Sequence, residues 1–185
     1  MNRDLFWRYL EAEHPKMEAF CRKLTGNRDD GDDLYQDALL TAMNKLETLA
    51  NPESFRPWLY RIIVNMYKSK NRREWLRSRL RLSKLPVDNE MPGDDSSRIA
   101  ARIWLDKAFE ALSAEEKALI TLFELEGWSV AELAAMYGRP VGTIKSRLSR
   151  ARRKMREELK KRLLEIKLTK VEAEYALPRC ETSAE

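Results

Sequence analysis

Three helix boundaries fall within one 44-residue segment and constrain the fold more than any other feature of the sequence. The segment, residues 112–155, reads LSAEEKALITLFELEGWSVAELAAMYGRPVGTIKSRLSRARRKM. SAEE and SVAE are capping boxes, in which a serine hydroxyl and a glutamate carboxylate each satisfy a backbone N–H at a helix start. YGRP then interrupts the apolar periodicity. The pattern predicts one helix from about Ser129 to Tyr137, a turn, and a second helix from near Val141.

The rest of the chain is also helical in its periodicity, and strand-like alternation does not persist anywhere. The helical pattern before Gly26 is expected to break at Pro15, where a second helix starts, and to end at Gly26 as a C-terminal cap. In NPESFRPWLYRII, a helix capped by Ser54 places Pro57 at the third helical position, where no backbone donor is needed. We therefore expect an all-α fold of two small helical domains.

A change of composition separates these two domains. Residues 85–97, LPVDNEMPGDDSS, contain two prolines, one glycine, four acids and no cation, which is typical of a flexible linker. The linker divides a domain at residues 1–84 from a second at residues 98–162. The periodicity weakens after about Arg162, so residues 163–185 are interpreted as a tail of unknown role.

The composition also argues against several classes of protein. A net charge of +5 weakly favours a polyanionic partner. No run of about 18 apolar residues occurs and the N-terminus lacks the apolar core of a signal peptide, so we expect a cytoplasmic protein without membrane insertion. Cys21, Cys180 and His14 are scattered and do not have zinc-site spacing. With one histidine, no phosphate-cradling glycine loop and no nucleophile motif, we expect no enzyme, no cofactor and no small-molecule substrate.

The helix predicted from Val141 has a core-facing stripe and a large unbalanced positive charge. Residues 142–155 hold six cations and no acid, while Ile144, Leu148, Ala151 and Met155 recur at helical spacing. An ordinary solvated face mixes acids with bases, whereas the second helix of a helix-turn-helix enters the DNA major groove. We therefore predict that DNA phosphates balance this charge. The candidate residues for duplex DNA are Arg139, Thr143, Lys145, Ser146, Ser149, Arg150 and Arg153.

A second basic segment contains aromatic residues. From Arg56 to Lys84 there are ten cations and one acid. The face opposite the apolar stripe is a candidate surface for nucleic acid, since asparagine pairs with adenine edges and aromatic rings stack on unpaired bases. The aromatic residues, among them Tyr60 and Tyr67, are equally compatible with the core of a small helical domain. The candidate residues are Trp58, Arg61, Asn65, Lys68 and Arg72.

The segment NRDDGDDLYQDALL is acidic, with five aspartates and one arginine. Acids at a helix start complement the helix dipole, and the spacing is not that of an EF-hand loop. The alternative is a surface that binds protein, because so acidic a face is repelled by DNA.

Three segments together resemble the extracytoplasmic-function (ECF) sigma factors of bacteria, minimal members of the sigma-70 family. They are HPKMEAFCRKLTGNRDDGDDLYQDALL, NPESFRPWLYRIIVNMYKSKNRR and the segment at residues 112–155. In the family's order and spacing, they cover most of residues 5–160, and FRPWLYRI and GTIKSRLSRAR are the most specific parts.

The resemblance implies family regions 2 and 4, joined by a flexible linker, and binding to core RNA polymerase, which performs all the chemistry. Region 2 of such proteins docks on the β′ clamp helices and captures the −10 element as a melted strand. The resemblance assigns this capture to Arg61, Asn65, Lys68 and the KNRR stretch at residues 70–73. Region 4 binds the β-flap and reads the −35 element as duplex DNA. The resemblance further implies promoter recognition in a stress or envelope response, under control of an anti-sigma factor. It assigns polymerase docking to Asp33, Leu34, Gln36 and Asp37.

The residues also leave other functions open. A stand-alone helix-turn-helix regulator accounts for residues 98–162 but leaves the first domain without a role. An RNA-binding protein accounts for basic helices with aromatic residues, and a preference for duplex DNA over RNA would distinguish a DNA-binding protein from it. Turnover of nucleotides would indicate an enzyme.

Overall fold

The computed structural model describes residues 3–49, 51–80 and 96–175, and no strand occurs among them. The N-terminal unit consists of α1 (Arg3–Thr25), α2 (Arg28–Asn44) and α3 (Phe55–Leu80), with short 3-10 turns at Leu46–Thr48 and Pro52–Ser54. The C-terminal unit consists of α4 (Ser96–Glu110), α5 (Ala114–Ile120), a π-helical turn (Thr121–Leu125), α6 (Val130–Tyr137) and α7 (Val141–Tyr175). The all-α prediction is confirmed.

Two predicted boundaries lie partly outside the described residues. Of the predicted linker, residues 85–95 are not described, whereas Ser96 and Ser97 already belong to α4. The predicted tail begins inside α7, because that helix continues without interruption to Tyr175. Residues 176–185 lie outside the described part of the chain.

The predicted helix break at Pro15 is wrong, because α1 is continuous from Arg3 to Thr25. A proline inside a helix removes one hydrogen bond and costs roughly 3 kcal/mol. Pro15 is exposed, and apolar side chains on both sides of it are buried against the other helices. This burial offsets the loss, since each fully buried side chain contributes about 1.5–3 kcal/mol. The buried residues of α1 are Phe6, Leu10, Met17, Phe20, Cys21 and Leu24.

The contact between α1 and α2 is very close at Gly31. A Cβ atom at Gly31 would lie 2.5 Å from the Cα of Arg22, so only glycine fits there. Next to this contact, the Arg22 guanidinium donates to both carboxylate oxygens of Asp32, at 2.6 and 3.1 Å. These hydrogen bonds lower the pKa of Asp32 and join α2 to α1.

The predicted boundaries of α3 and of the C-terminal helices are confirmed. Pro57 is the third residue of α3, and it follows the 3-10 turn that ends at Ser54. Ser113 and Ser129 both form complete capping boxes, with Glu116 and Glu132. These local hydrogen bonds fix where α5 and α6 begin.

The two units share one hydrophobic core. Helix α3 contacts α1 and α2 on one side and α5 and α6 on the other. A chain of edge-to-face rings crosses the boundary, with Phe20 and Tyr60 centroids 5.0 Å apart and Tyr60 and Trp128 centroids 5.2 Å apart. The N-terminal and C-terminal units are therefore packed directly against each other.

Candidate nucleic-acid and protein interfaces

The turn between α6 and α7 is a tight backbone structure that sets the direction of α7. Gly138 adopts a left-handed conformation, with φ 59° and ψ 43°. The Gly138 N–H donates to the carbonyl of Ala135 and the Arg139 N–H donates to that of Ala134, a Schellman arrangement. The Pro140 carbonyl then accepts from the N–H groups of Thr143 and Ile144, which starts α7. Helix α7 consequently stands as the second helix of a helix-turn-helix.

The two faces of α7 are as predicted from the helical wheel. Ile144 and Ala151 are fully buried, Leu148 is nearly so and Met155 packs partly against the core. The opposite face starts with Gly142 and carries the long cations Arg150 and Arg153 further along the helix. The candidate DNA residues Arg139, Lys145, Ser146, Ser149, Arg150 and Arg153 are exposed, and Thr143 is half-buried.

The prediction that only phosphate balances the positive charge is wrong for three cations on the flank of α7. Arg147 pairs with Glu115, Arg152 donates to Glu124 at 2.6 Å, and Lys154 donates to Glu116 at 2.7 Å. These acids lie on α5 and the π-helical turn, 28 to 38 residues away in sequence. Local helical spacing does not reveal such pairs.

Glu116 links two parts of the C-terminal unit. Its carboxylate caps the backbone N–H of Ser113 and also accepts from Lys154. Burial opposes the charge on Glu116, but the hydrogen bonds from Lys154 and Ser113 outweigh it and hold the pKa of Glu116 below its usual value. Glu116 is thus anionic at neutral pH and holds α7 against α5.

The outward cations of α7 have a different environment. No acidic partner occurs among the described residues for Arg139, Lys145 or Arg150. Arg153 lies 3.7 Å from Glu157 in an exposed pair on the same helix, which contributes little in water. Ion pairs therefore fix the inner flank of α7, while cations on its outer face remain available to an external anion.

The basic face of α3 is partly as predicted. Arg61, Asn65 and Arg72 are exposed, and Lys68 is half-buried. Trp58 is also half-buried, and its indole N–H donates to the Thr48 hydroxyl at 3.2 Å, which fixes the plane of the ring. The face thus presents a hydrogen-bonding amide among cations.

Two of the aromatic residues near this face belong to the core. Tyr60 is 0% exposed and Tyr67 is 5% exposed, so neither ring stacks on a base. Of the two explanations that the sequence left open for these rings, core packing is correct. Helical spacing alone left the choice open because α3 packs on two sides, against its own unit and against the C-terminal unit.

A groove of about 560 Å³ runs between α2 and α3 beside this face. Its lining combines apolar side chains, such as Ile62 and Met66, with Asn65 and other hydrogen-bonding side chains, and it contains one acid, Asp37, beside three cations. Two of its three cations belong to the KNRR stretch at residues 70–73, which the resemblance assigns to −10 capture, and the third lies at the C-terminal end of α2. These cations are Lys45, Lys70 and Arg73.

The acidic face of α2 exposes three of the four residues predicted to dock on the polymerase. Asp33, Gln36 and Asp37 are exposed. Leu34 differs from them, because it is only 2% exposed and packs in the core of the free chain. Leu40 lies two helical turns beyond Asp33 on the same face of α2, is 62% exposed and provides the apolar residue of this face.

Metal and thiol chemistry have little support in the described residues. Within residues 5–49, 51–73 and 103–164, no three His, Cys, Asp or Glu side chains come together as metal ligands. Cys21 is buried, and desolvation raises the pKa of its thiol to about 12. None of the described helices is long and apolar enough to cross a membrane.

Comparison with known families agrees with this geometry. Residues 9–77 match the family model for sigma-70 region 2, and residues 102–155 match the model for sigma-70 region 4. The two matches coincide with the N-terminal and C-terminal units. The chain is also 31% identical to "ECF RNA polymerase sigma factor EcfG" of Rhodopseudomonas palustris, over 78% of this chain and 79% of that protein. The chain belongs to the extracytoplasmic-function sigma factors of the sigma-70 family. Sigma factors are transcription initiation factors that recognise promoters and have no enzymatic activity of their own.

Curated relatives support the same assignment for this sigma factor. It is 31% identical to "RNA polymerase sigma-E factor" of Streptomyces coelicolor, over 83% of this chain and 85% of that protein. It is also 31% identical to "ECF RNA polymerase sigma factor SigE" of Mycolicibacterium smegmatis, over 84% of this chain. The sigma factor spans 62% of the length of that second relative.

Solved structures of similar proteins include a sigma factor bound to an inhibitor. The sigma factor RpoE of Bartonella quintana, in complex with the anti-sigma factor NepR, is similar with a TM-score of 0.63 and 29% identity. The similarity covers 84% of this sigma factor and 96% of that chain. The fold of both units is therefore common to the two proteins.

Proposed function

We propose that this sigma factor docks on core RNA polymerase through α2, captures the melted −10 strand on α3 and reads the −35 duplex with α7. The observation that carries the proposal is the charge distribution on α7. Its inner cations are neutralised by Glu115, Glu116 and Glu124, whereas Arg139 in the turn before it and Lys145 and Arg150 on its outer face have no acidic partner in the part of the chain that the structure describes. A rigid helix with small residues near its start and free cations beyond them suits a major groove.

The other two surfaces have chemistry suited to their proposed partners. The groove between α2 and α3 combines apolar side chains, the Asn65 amide and three cations, which suits an unstacked base with its phosphate. Of these cations, Lys70 lies 3.2 Å from a carboxylate oxygen of Asp30. The exposed acids of α2, with Leu40 among them, suit a basic and partly apolar protein surface such as the β′ clamp helices. The β-flap is the proposed partner of the C-terminal unit. Because these partners are cytoplasmic, we place the protein in the cytoplasm.

Regulation by an anti-sigma factor is part of the same proposal. One structural relative, the sigma factor RpoE of Bartonella quintana, is in complex with the anti-sigma factor NepR. An anti-sigma factor that covers the proposed surfaces of this chain would block its access to polymerase. A stress or envelope signal that releases the inhibitor would then switch the promoters on.

The first experiment is co-elution of the purified chain with bacterial core polymerase on a sizing column at moderate salt. A stoichiometric complex is expected. Asp37→Lys should weaken it, since Asp37 lies on the exposed acidic face of α2. Glu47→Lys is the matched control, because it makes the same change of charge at an exposed acid just beyond α2.

Two outcomes would contradict the proposal. Absence of a complex, together with tight binding of duplex DNA by the chain alone, would favour a stand-alone regulator. Equal weakening by both variants would mean that the total charge of the chain, rather than the α2 face, determines binding. If the complex forms, sequencing of the transcripts it starts identifies the promoters.

A further inference from the structure

Val141 is an exposed apolar side chain at the start of the helix that the proposed function places in DNA. It is the first residue of α7, and 44% of its surface is exposed. Between residues 141 and 162 of this helix no other large apolar side chain is exposed, because the rest face the core or are half-buried. The candidate residues for duplex DNA are all polar or cationic, so Val141 lies beside them without an assigned role.

The backbone around Val141 holds its side chain in a fixed position. The Gly138 turn ends α6 just before it, and the Pro140 carbonyl accepts from the N–H groups of Thr143 and Ile144. Ile144 is fully buried and anchors this first turn of α7 to the core. A valine in a helix has one strongly preferred rotamer, so Val141 loses little conformational freedom on contact with another molecule.

Small side chains and a free cation surround Val141. Gly142 follows it directly, with open space where a Cβ atom would stand. Ser146 keeps its hydroxyl close to the helix, because its Oγ donates to the Thr143 carbonyl at 2.9 Å. Lys145, four residues on and hence on the same side of α7, is exposed and has no acidic partner among the residues that the structure describes. A DNA groove can therefore approach the first turn of α7 closely, with Lys145 beside Val141.

The major groove offers only one methyl group to such a side chain. Base edges present hydrogen-bond donors and acceptors there, and the apolar exception is the C5-methyl group of thymine. Valine has no donor or acceptor, so against a polar base edge it would remove water without replacing the lost hydrogen bonds. Against a thymine methyl group, two apolar surfaces leave water together, which is favourable. Val141 in the groove thus favours thymine over the other bases.

We propose that Val141 is a specificity-determining residue, which contacts the C5-methyl group of one thymine in the −35 element. The inference rests on the proposed function, since it assumes that the N-terminal end of α7 enters the major groove. It adds an apolar contact to the polar contacts proposed for Lys145 and Arg150. Burial of one methyl-sized group predicts a preference of about fourfold for the base that carries the methyl group.

The test replaces each thymine of the −35 element, on either strand, by deoxyuridine, one position at a time. Deoxyuridine lacks only the methyl group and keeps the base pair with adenine. The protein is the holoenzyme of the full chain with core polymerase, bound to fluorescently labelled promoters that transcript sequencing identifies. The readout is the ratio of the affinities for the thymine and deoxyuridine duplexes, so that any general change in binding cancels.

Two variants of the chain assign the preference to a residue. Val141→Ala removes the contact and keeps the fold, because alanine is the better helix former. Ile103→Ala is the matched control, since Ile103 is also β-branched and 43% exposed but lies on α4. The wild-type holoenzyme should prefer thymine about fourfold at one position. Val141→Ala should abolish this preference and Ile103→Ala should keep it. At the same position, 5-methylcytosine should bind the wild type more tightly than cytosine does, and Val141→Ala should not distinguish the two.

Several results would contradict the assignment. A −35 element without A·T pairs, or one in which no single deoxyuridine weakens binding, would mean that Val141 meets no thymine methyl group. A preference that survives in Val141→Ala would assign the methyl contact to another residue. Arg150→Ala separates these failures from failure of the proposed function. If Arg150→Ala loses base discrimination while Val141→Ala does not, only the Val141 contact is wrong. If neither variant changes binding to the −35 element, α7 does not read it and the proposed function fails.

Discussion

Replacement of Gly138 by alanine tests the backbone geometry that orients α7. Gly138 has φ 59°, and a Cβ atom there would meet nothing within 4 Å, so the cost is confined to the backbone. A left-handed conformation costs a residue with a Cβ about 1–2 kcal/mol, and the reduced freedom of the unfolded chain returns about 0.4–1 kcal/mol. The net loss of stability is about 1 kcal/mol. In a chain of this size that lowers the melting temperature by about 2–4 °C, which circular dichroism at 222 nm measures.

Gly142 provides the matched control for this substitution. It also has open space around its Cβ position, but it lies in the first turn of α7 with no positive φ. Gly142→Ala should leave the melting temperature unchanged or raise it, because alanine is the better helix former. Equal destabilisation by the two variants, or no effect of Gly138→Ala, would refute the left-handed turn as the cause.

Three further predictions concern DNA reading, packing and pH. Arg150→Ala should reduce the DNA-binding free energy by about 1–3 kcal/mol, and only on duplexes that keep the few −35 bases it contacts. Arg153→Ala should weaken binding to all sequences alike and reduce the slope of log binding constant against log salt concentration by about 1. Fluorescence anisotropy on a panel of duplexes measures both, and the reverse pattern would exchange the roles of the two arginines. Leu133→Ala, at a fully buried residue of α6, should lower the free energy of unfolding by about 2–5 kcal/mol in urea titrations, and a smaller loss would mean that the site collapses around the cavity. Burial raises the pKa of the Cys21 thiol to about 12, so the neutral thiol contributes fully to stability below its ordinary pKa and this contribution is lost as the pH rises towards 12. Cys21→Ala should therefore make the free energy of unfolding fall less steeply above pH 9. An unchanged slope would assign that fall to other groups.

Positions of helix ends were largely predictable because the interactions that set them are local. The capping boxes at Ser113 and Ser129 join residues only three positions apart, and the Gly138 turn uses backbone groups within one helical turn of it. The inward stripe of α7 was predictable for the same reason, since residues three and four apart share one face of any helix. The outward cations that form the proposed −35 surface follow from that stripe.

Corrections to the sequence-based predictions fall where residues distant in the chain meet. Pro15 stays inside α1 because the packing on either side of it outweighs a local loss. Tyr60 is buried because a second unit covers the other side of α3, and the cations of the inner flank of α7, such as Arg147, are neutralised by acids 28 to 38 residues away.

For this protein the sequence by itself determined the all-α class, most helix ends and the family, because hydrogen bonds between near neighbours and helical periodicity depend on residues close together in the chain. Only the tertiary structure decided which charged groups are free to bind DNA and which are paired within the chain. It also revealed the contact centred on Trp128, whose partners Arg56 and Tyr60 lie about 70 residues away in sequence. The physical reason is that the pairing and burial of a side chain depend on neighbours brought together by folding, whereas periodicity along one helix depends only on residues close in sequence.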